Sequence, residues 1–145
     1  FYTNIPQGLA WAWRTITPGK PFDEASVVLD ETYIKHKAII ILTYGENTVR
    51  SADAYNYGFY SSSRRDNRLK DLADTIKNKT DSDPENDDEI LIYTIQFANT
   101  SNSLVDLLKY VATDDDHYFY APDKDSLKTA FKKIANDLSN LRLSK

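Results

Sequence analysis

AIIILTYGENT, residues 38–48, is the stretch on which the fold turns. Apolar side chains follow one another from Ala38 to Leu42, Thr43 closes the run, and Tyr44, Gly45, Glu46 and Asn47 come directly after. A run without polar alternation fits a strand covered on both faces, as parallel sheets require. α/β proteins bind their ligands at the carboxyl ends of such strands, so the residues after Thr43 stand where a functional loop belongs. An acidic residue is common at that exit. Here it is a tyrosine.

Two more apolar runs read as strands, Ile90 to Phe97 and His117 to Ala121, the former with little polar alternation before Gln96. Helical periodicity lies between and after them. Leu69, Leu72, Ala73 and Ile76 keep the i, i+3, i+4, i+7 spacing, as do Leu104, Leu107, Leu108 and Val111, while Leu127, Phe131, Ile134, Leu138 and Leu141 continue one stripe for four turns. Ahead of the first strand, Ile5 to Ile16 reads as a helix. Asn4 suits its N-cap, Pro6 is permitted in the first turn, and Thr17-Pro18-Gly19 ends it. Residues 18–36 form a connection without periodicity. The order β-α-β-α-β-α predicts a doubly wound, mostly parallel α/β sheet with right-handed crossovers. Being the most uniformly apolar, the first strand is expected to be central. Three strands are few for such a sheet, and Phe1 is not a natural start residue. Residues 1–145 are therefore expected to be the C-terminal portion of a single domain, with further strands on the open side of the first.

The totals narrow the function. With 145 residues, 41% of them apolar, the chain suffices for one compact core. A net charge of -4 without a clustered basic surface argues against a nucleic-acid partner. No cysteine is present, so disulfides, thiolate metal sites and thiol nucleophiles are excluded. No apolar run approaches membrane-spanning length, and no signal-peptide pattern opens the chain.

The stretches YTNIPQGLAWAWRTITPGKPF, KAIIILTYGENT, IYTIQF and FKKIANDLSNLRLSK occur in that order over most of the chain. Together they resemble the C-terminal part of a von Willebrand factor A-type domain, in particular the bacterial pilus-assembly proteins of the TadG type (Tad or Flp pili). The resemblance implies a Rossmann-like domain with a metal-ion-dependent adhesion site on its upper face. In that family an Asp-x-Ser-x-Ser loop, a threonine and a strand-ending aspartate hold the ion. The threonine matches Thr3, the aspartate position matches Tyr44, and the loop would precede Phe1. A cysteine pair of the relatives aligns with Ala73 and Val111, so that staple is gone. Mg²⁺ needs hard oxygen ligands, usually with a carboxylate, and a phenol with a pKa near about 10 replaces one poorly. The implied site therefore reads as degenerate, Tyr44 as an aromatic lid over the strand ends, and no cofactor is expected. Glu46 is the carboxylate through which a Mg²⁺ or Mn²⁺ site could be rebuilt. The implied setting is the cell envelope, periplasmic or extracellular, with a pilus or envelope component as protein partner.

AYNYGFYSSSRRDNR, residues 54–68, mixes Tyr55, Tyr57, Phe59 and Tyr60 with serines and Arg64, Arg65 and Arg68. Tyrosine and arginine are the composition of a protein-contact surface, although the same aromatics could simply pack the loop onto its own domain. With Tyr44, Glu46 and Asn47, the residues Tyr55, Tyr57, Tyr60, Arg64 and Arg65 make the expected partner-binding surface. DSDPENDDE, residues 81–89, imitates a calcium loop but has Asn86 at the turn glycine and Ile92 at the bidentate glutamate, and reads as a solvated turn. The acids of residues 114–116 with His117 read as a polar loop. Trp11 and Trp13, two apart on a helix, face different ways, one to the core and one outward.

Catalysis finds little support. His36 and His117 are the only histidines, and neither a Gly-x-Ser-x-Gly elbow nor a phosphate-cradling glycine loop occurs. The expectation is a non-enzymatic protein-interaction or adhesion module. A metal-dependent adhesion module and a carboxylate-based hydrolase using the acids of residues 81–89 or 114–117 are the competing readings. An incomplete parallel sheet would leave a strand edge open, so dimerisation or strand exchange is expected as well.

Overall fold

Asn4 sets the first helix. Its side chain accepts from the backbone N–H of Gln7, Pro6 occupies the first turn, and Thr17 caps the other end through its N–H to the Trp13 carbonyl. The computed structural model describes residues 3–17, 22, 37–48, 61–81 and 90–143. Within them the order is α1 (Ile5–Ile16), β1 (Lys37–Thr43), α2 (Ser62–Asp81), β2 (Ile90–Phe97), α3 (Asn102–Val111), a 3-10 turn (Asp115–His117), β3 (Tyr118–Ala121) and α4 (Lys124–Leu143). The strands form one parallel sheet in the order β1-β2-β3, with Ile39 opposite Ile92 and Thr94 opposite Tyr118. This is the α/β alternation expected from the sequence, and it is compatible with a Rossmann-like fold.

The alternation of β2 divides the core. Ile90 and Ile92 pack with Ile39 and Ile41 of β1 against Ile5 and Leu9 of α1, Leu69, Ala73 and Ile76 of α2, and the buried stripe of α3. Leu91, Tyr93 and Ile95 face the other way, onto Ala130 and Ile134 of α4. Helices therefore cover both faces of β2, and every residue from Ile90 to Gln96 is buried. Ala73 and Val111, the positions at which the resemblance puts a cysteine pair, both lie in the α1–α2–α3 core.

Among the described residues β1 pairs with β2 alone. Three expectations are corrected. β1 is not covered on both faces, because α4 packs on β3 and β2 and leaves Ile40 and Leu42 40% and 47% exposed. A uniformly apolar run reports two apolar faces, not which of them finds a cover. Phe131 does not continue the core stripe of α4. It is exposed, and Ala130 one residue earlier takes the inward position. Finally, His117 closes the 3-10 turn, so β3 starts one residue later than its apolar run suggested. The two tryptophans divide as expected: Trp13 packs against the core, while Trp11 is exposed, edge-on to Phe22 and under the Arg14 guanidinium.

The segments 18–21, 23–36, 49–60 and 82–89 lie outside the described residues. With them fall Tyr55, Tyr57, Phe59 and Tyr60 of the expected contact surface and nearly all of the acidic stretch. No helix among the described residues is long and apolar enough to cross a membrane.

Candidate functional site

Parallel strands bring their carboxyl ends to one side of the sheet, and here a polar chain runs across all three. Gln96, near the end of β2 and fully buried, accepts at Oε1 from the Tyr118 hydroxyl of β3 (2.9 Å). Its amide donates to the Asn99 carbonyl (2.7 Å), and the Asn99 amide donates to the Tyr44 carbonyl (2.9 Å). Burial of a side-chain amide requires such partners, because an unmet group costs about 1–3 kcal/mol. The turn that carries Asn99 is made by Ala98, whose φ of 50° is left-handed and whose N–H donates to the Ala121 carbonyl.

Glu46 forms the second tie. Its carboxylate accepts from the hydroxyls of Ser101 and Ser103 (2.7 Å for the latter). Ser101 is also the N-cap of α3, accepting from the N–H of Leu104. The anion thus sits at a helix N-terminus, where the macrodipole favours it. The hydrogen bonds from Ser101 and then Ser103 hold the Glu46 carboxyl below its ordinary 4.5, outweighing the slight opposing effect of burial.

Asn47 forms the third. It is 2% exposed, accepts from the N–H of Ile5 at the start of α1 (3.0 Å) and donates to the Asp66 carboxylate of α2 (2.8 Å). Thr3 and Thr48 pair beside it, through Thr3 N–H to the Thr48 hydroxyl (2.7 Å) and Thr48 N–H to the Thr3 carbonyl (2.9 Å). A Cβ added at Gly45 would stand 3.5 Å from the Thr3 hydroxyl, so Thr3 lies directly beside the β1 exit.

The structure therefore brings Thr3, Tyr44, Glu46 and Asn47 together. Tyr44 is 56% exposed, and its carbonyl is held by the Asn99 amide. Arg64 is exposed and Arg65 is buried, the latter lining with Arg14, Arg68 and Leu72 a cleft of about 260 Å³ between α1 and α2. Sequence reasoning missed Gln96, Asn99, Ser101 and Ser103. The break of the apolar run at Gln96 and the Ser-x-Ser before a helical stripe were the available signals.

A separate cluster lies where β3 begins. His117 Nδ1 meets the Asp114 carboxylate at 2.6 Å, its Nε2 is 3.9 Å from Asp137 of α4, and Tyr93 donates to that same Asp137 at 2.5 Å. Burial works to raise the pKa of Asp114, but the hydrogen bond and charge of His117, with the N–H groups of Asp116 and His117, hold it below the usual range. These contacts fasten α4 to the sheet. Among the described residues no group of three or more His, Asp or Glu side chains is disposed to hold a metal ion.

No known protein family matches this chain, and neither does any curated protein or solved structure.

Proposed function

We propose that this chain is a non-enzymatic protein-interaction module of a cell-envelope pilus-assembly system, related to von Willebrand factor A-type domains and degenerate at the metal-ion-dependent site of that family. What carries the reading is Tyr44. At the position where the resemblance puts a metal-holding aspartate, an exposed aromatic ring stands on a backbone pinned by Asn99. Tyrosine gives a large amphipathic contact at low entropy cost, and a fixed backbone lowers that cost further. The sheet's carboxyl side is also where α/β folds place their ligands.

The residues present do not fit a divalent ion. Glu46, the one carboxylate between Thr43 and Thr48, is committed to Ser101 and Ser103, Asp66 is bonded to Asn47, and Thr3 engages Thr48 through its backbone. Partner recognition on this reading is independent of metal.

Calorimetric titration of Mg²⁺ and Mn²⁺ into the protein with its natural upstream residues restored tests it, with Tyr44→Asp beside it. No heat is expected from the natural protein, and uptake by the variant is the expected signature of a decayed site. Capture of an envelope partner should survive a chelator and be lost in Tyr44→Ala. Chelator-sensitive capture, or metal uptake by the natural chain, would return the metal-dependent alternative to first place.

A further inference from the structure

The cleft between α1 and α2 is lined by one stripe of each helix. Gln7, Ala10 and Arg14 keep the i, i+3, i+7 spacing on α1, and Arg65, Arg68 and Leu72 keep it on α2. Each stripe lies beside the one that enters the core, Ile5 and Leu9 on α1 and Leu69, Ala73 and Ile76 on α2. Three guanidinium groups therefore line one cleft in a chain whose net charge is -4, and no carboxylate is among the described residues that line it. Arg14 is the only charged residue of α1. Asp66, the acid between Arg65 and Arg68, is bonded to Asn47. Arg65 is also the only charged side chain among the buried residues described, at 7% exposure. Burial of a charge is costly unless opposite charge and hydrogen bonds meet it. A guanidinium carries several donors in a fixed fork, so one that helps to hold the fold still has N–H groups to offer a ligand.

We propose that this cleft binds an acidic segment of a protein partner, with a carboxylate side chain entering between Arg14, Arg65 and Arg68. Charge selects an anion, because forked guanidinium donors match a carboxylate. Size and lining select a side chain. At about 260 Å³ the cleft falls below the range of about 300–1,000 Å³ that takes a cofactor-sized molecule. Pro6, Ala10 and Leu72 give it an apolar part that a free inorganic anion would leave unused and the stem of a glutamate would cover. Beside Arg14 stands Trp11, 47% exposed, edge-on to Phe22 at 6.3 Å and 5.4 Å from the Arg14 guanidinium. Tryptophan and arginine are the residues on which interface energy concentrates. The proposal gives the partner of the interaction reading a chemistry and so rests on that reading, but it depends neither on Tyr44 nor on the state of the metal position.

A fluorescein-labelled peptide of glutamate and leucine, followed by anisotropy against the protein with its natural upstream residues in place, tests it. The peptide should bind, more weakly as salt rises, and a lysine and leucine peptide of the same length should not. Arg14→Gln and Arg68→Gln, both at exposed positions, should each weaken binding about tenfold, the effect of losing one charge-assisted hydrogen bond. Lys132→Gln makes the same change of charge at an exposed position of α4, across the sheet, and should leave the affinity unchanged. Absence of binding overturns the proposal, and so does equal weakening by all three substitutions. Inorganic phosphate that displaces the peptide at equal concentration overturns it in favour of a free anion. A protein that refuses the peptide yet captures its envelope partner keeps the interaction reading and loses this one.

Discussion

Ala98 holds a backbone conformation that a side chain makes costly. A left-handed φ costs an L-residue roughly 1–2 kcal/mol, and glycine avoids it at some entropic expense in the unfolded chain. Ala98→Gly should therefore stabilise the protein by about 0.5–1 kcal/mol in urea unfolding, an unusual sign for a substitution beside a candidate site. Asn47 should show the opposite. Truncation to alanine strands the N–H of Ile5 and loosens Asp66, and a loss of about 2 kcal/mol is expected. Glu46 gives a pH signature. Its folded pKa lies below 4.5, so its contribution is complete above that pH and is lost as the pH falls through the lower folded value. Carbon-detected NMR titration should find the depressed value, and Ser101→Ala with Ser103→Ala should return it to the ordinary range. The place of Glu46 was legible, because a strand exit follows from an apolar run. Its partners were not: Ser101 lies 55 residues away, and only the register of β1 on β2 brings the two together.

Elements were read well where one face is buried and less well where burial is uneven. The stripe of α3 is inside in full, from Leu104 to Val111, because the helix packs on β2 with α2 at its side. Among the described residues α4 is the one helix on its face, and Phe131 stays outside while Ala130 and Ile134 turn inward. The difference is measurable. Leu108→Ala and Ile134→Ala each open a cavity in close-packed surroundings and should cost about 2–4 kcal/mol. Phe131→Ala, which periodicity alone would rank with them, should stay within about 0.5 kcal/mol, as exposed positions do. A loss of core magnitude at Phe131 would restore it to the stripe.

At the scale of the whole molecule, the order of strands and helices could be read from two periodicities, but which strand faces find a cover could not. β1 and β2 are both largely apolar. What separates them is α4, which reaches β2 and β3 and stops short of Ile40 and Leu42. Local stability should follow that cover. β2, buried from Ile90 to Gln96 and paired on both sides, belongs to the last unit to open, so its amides should exchange with solvent only through global unfolding. Among the described residues β1 is paired on one side only, so alternate N–H groups along it should exchange with solvent orders of magnitude faster than their neighbours bonded to β2. Protection along β1 as uniform as that of β2 would mean that its outer groups find acceptors beyond the described strands.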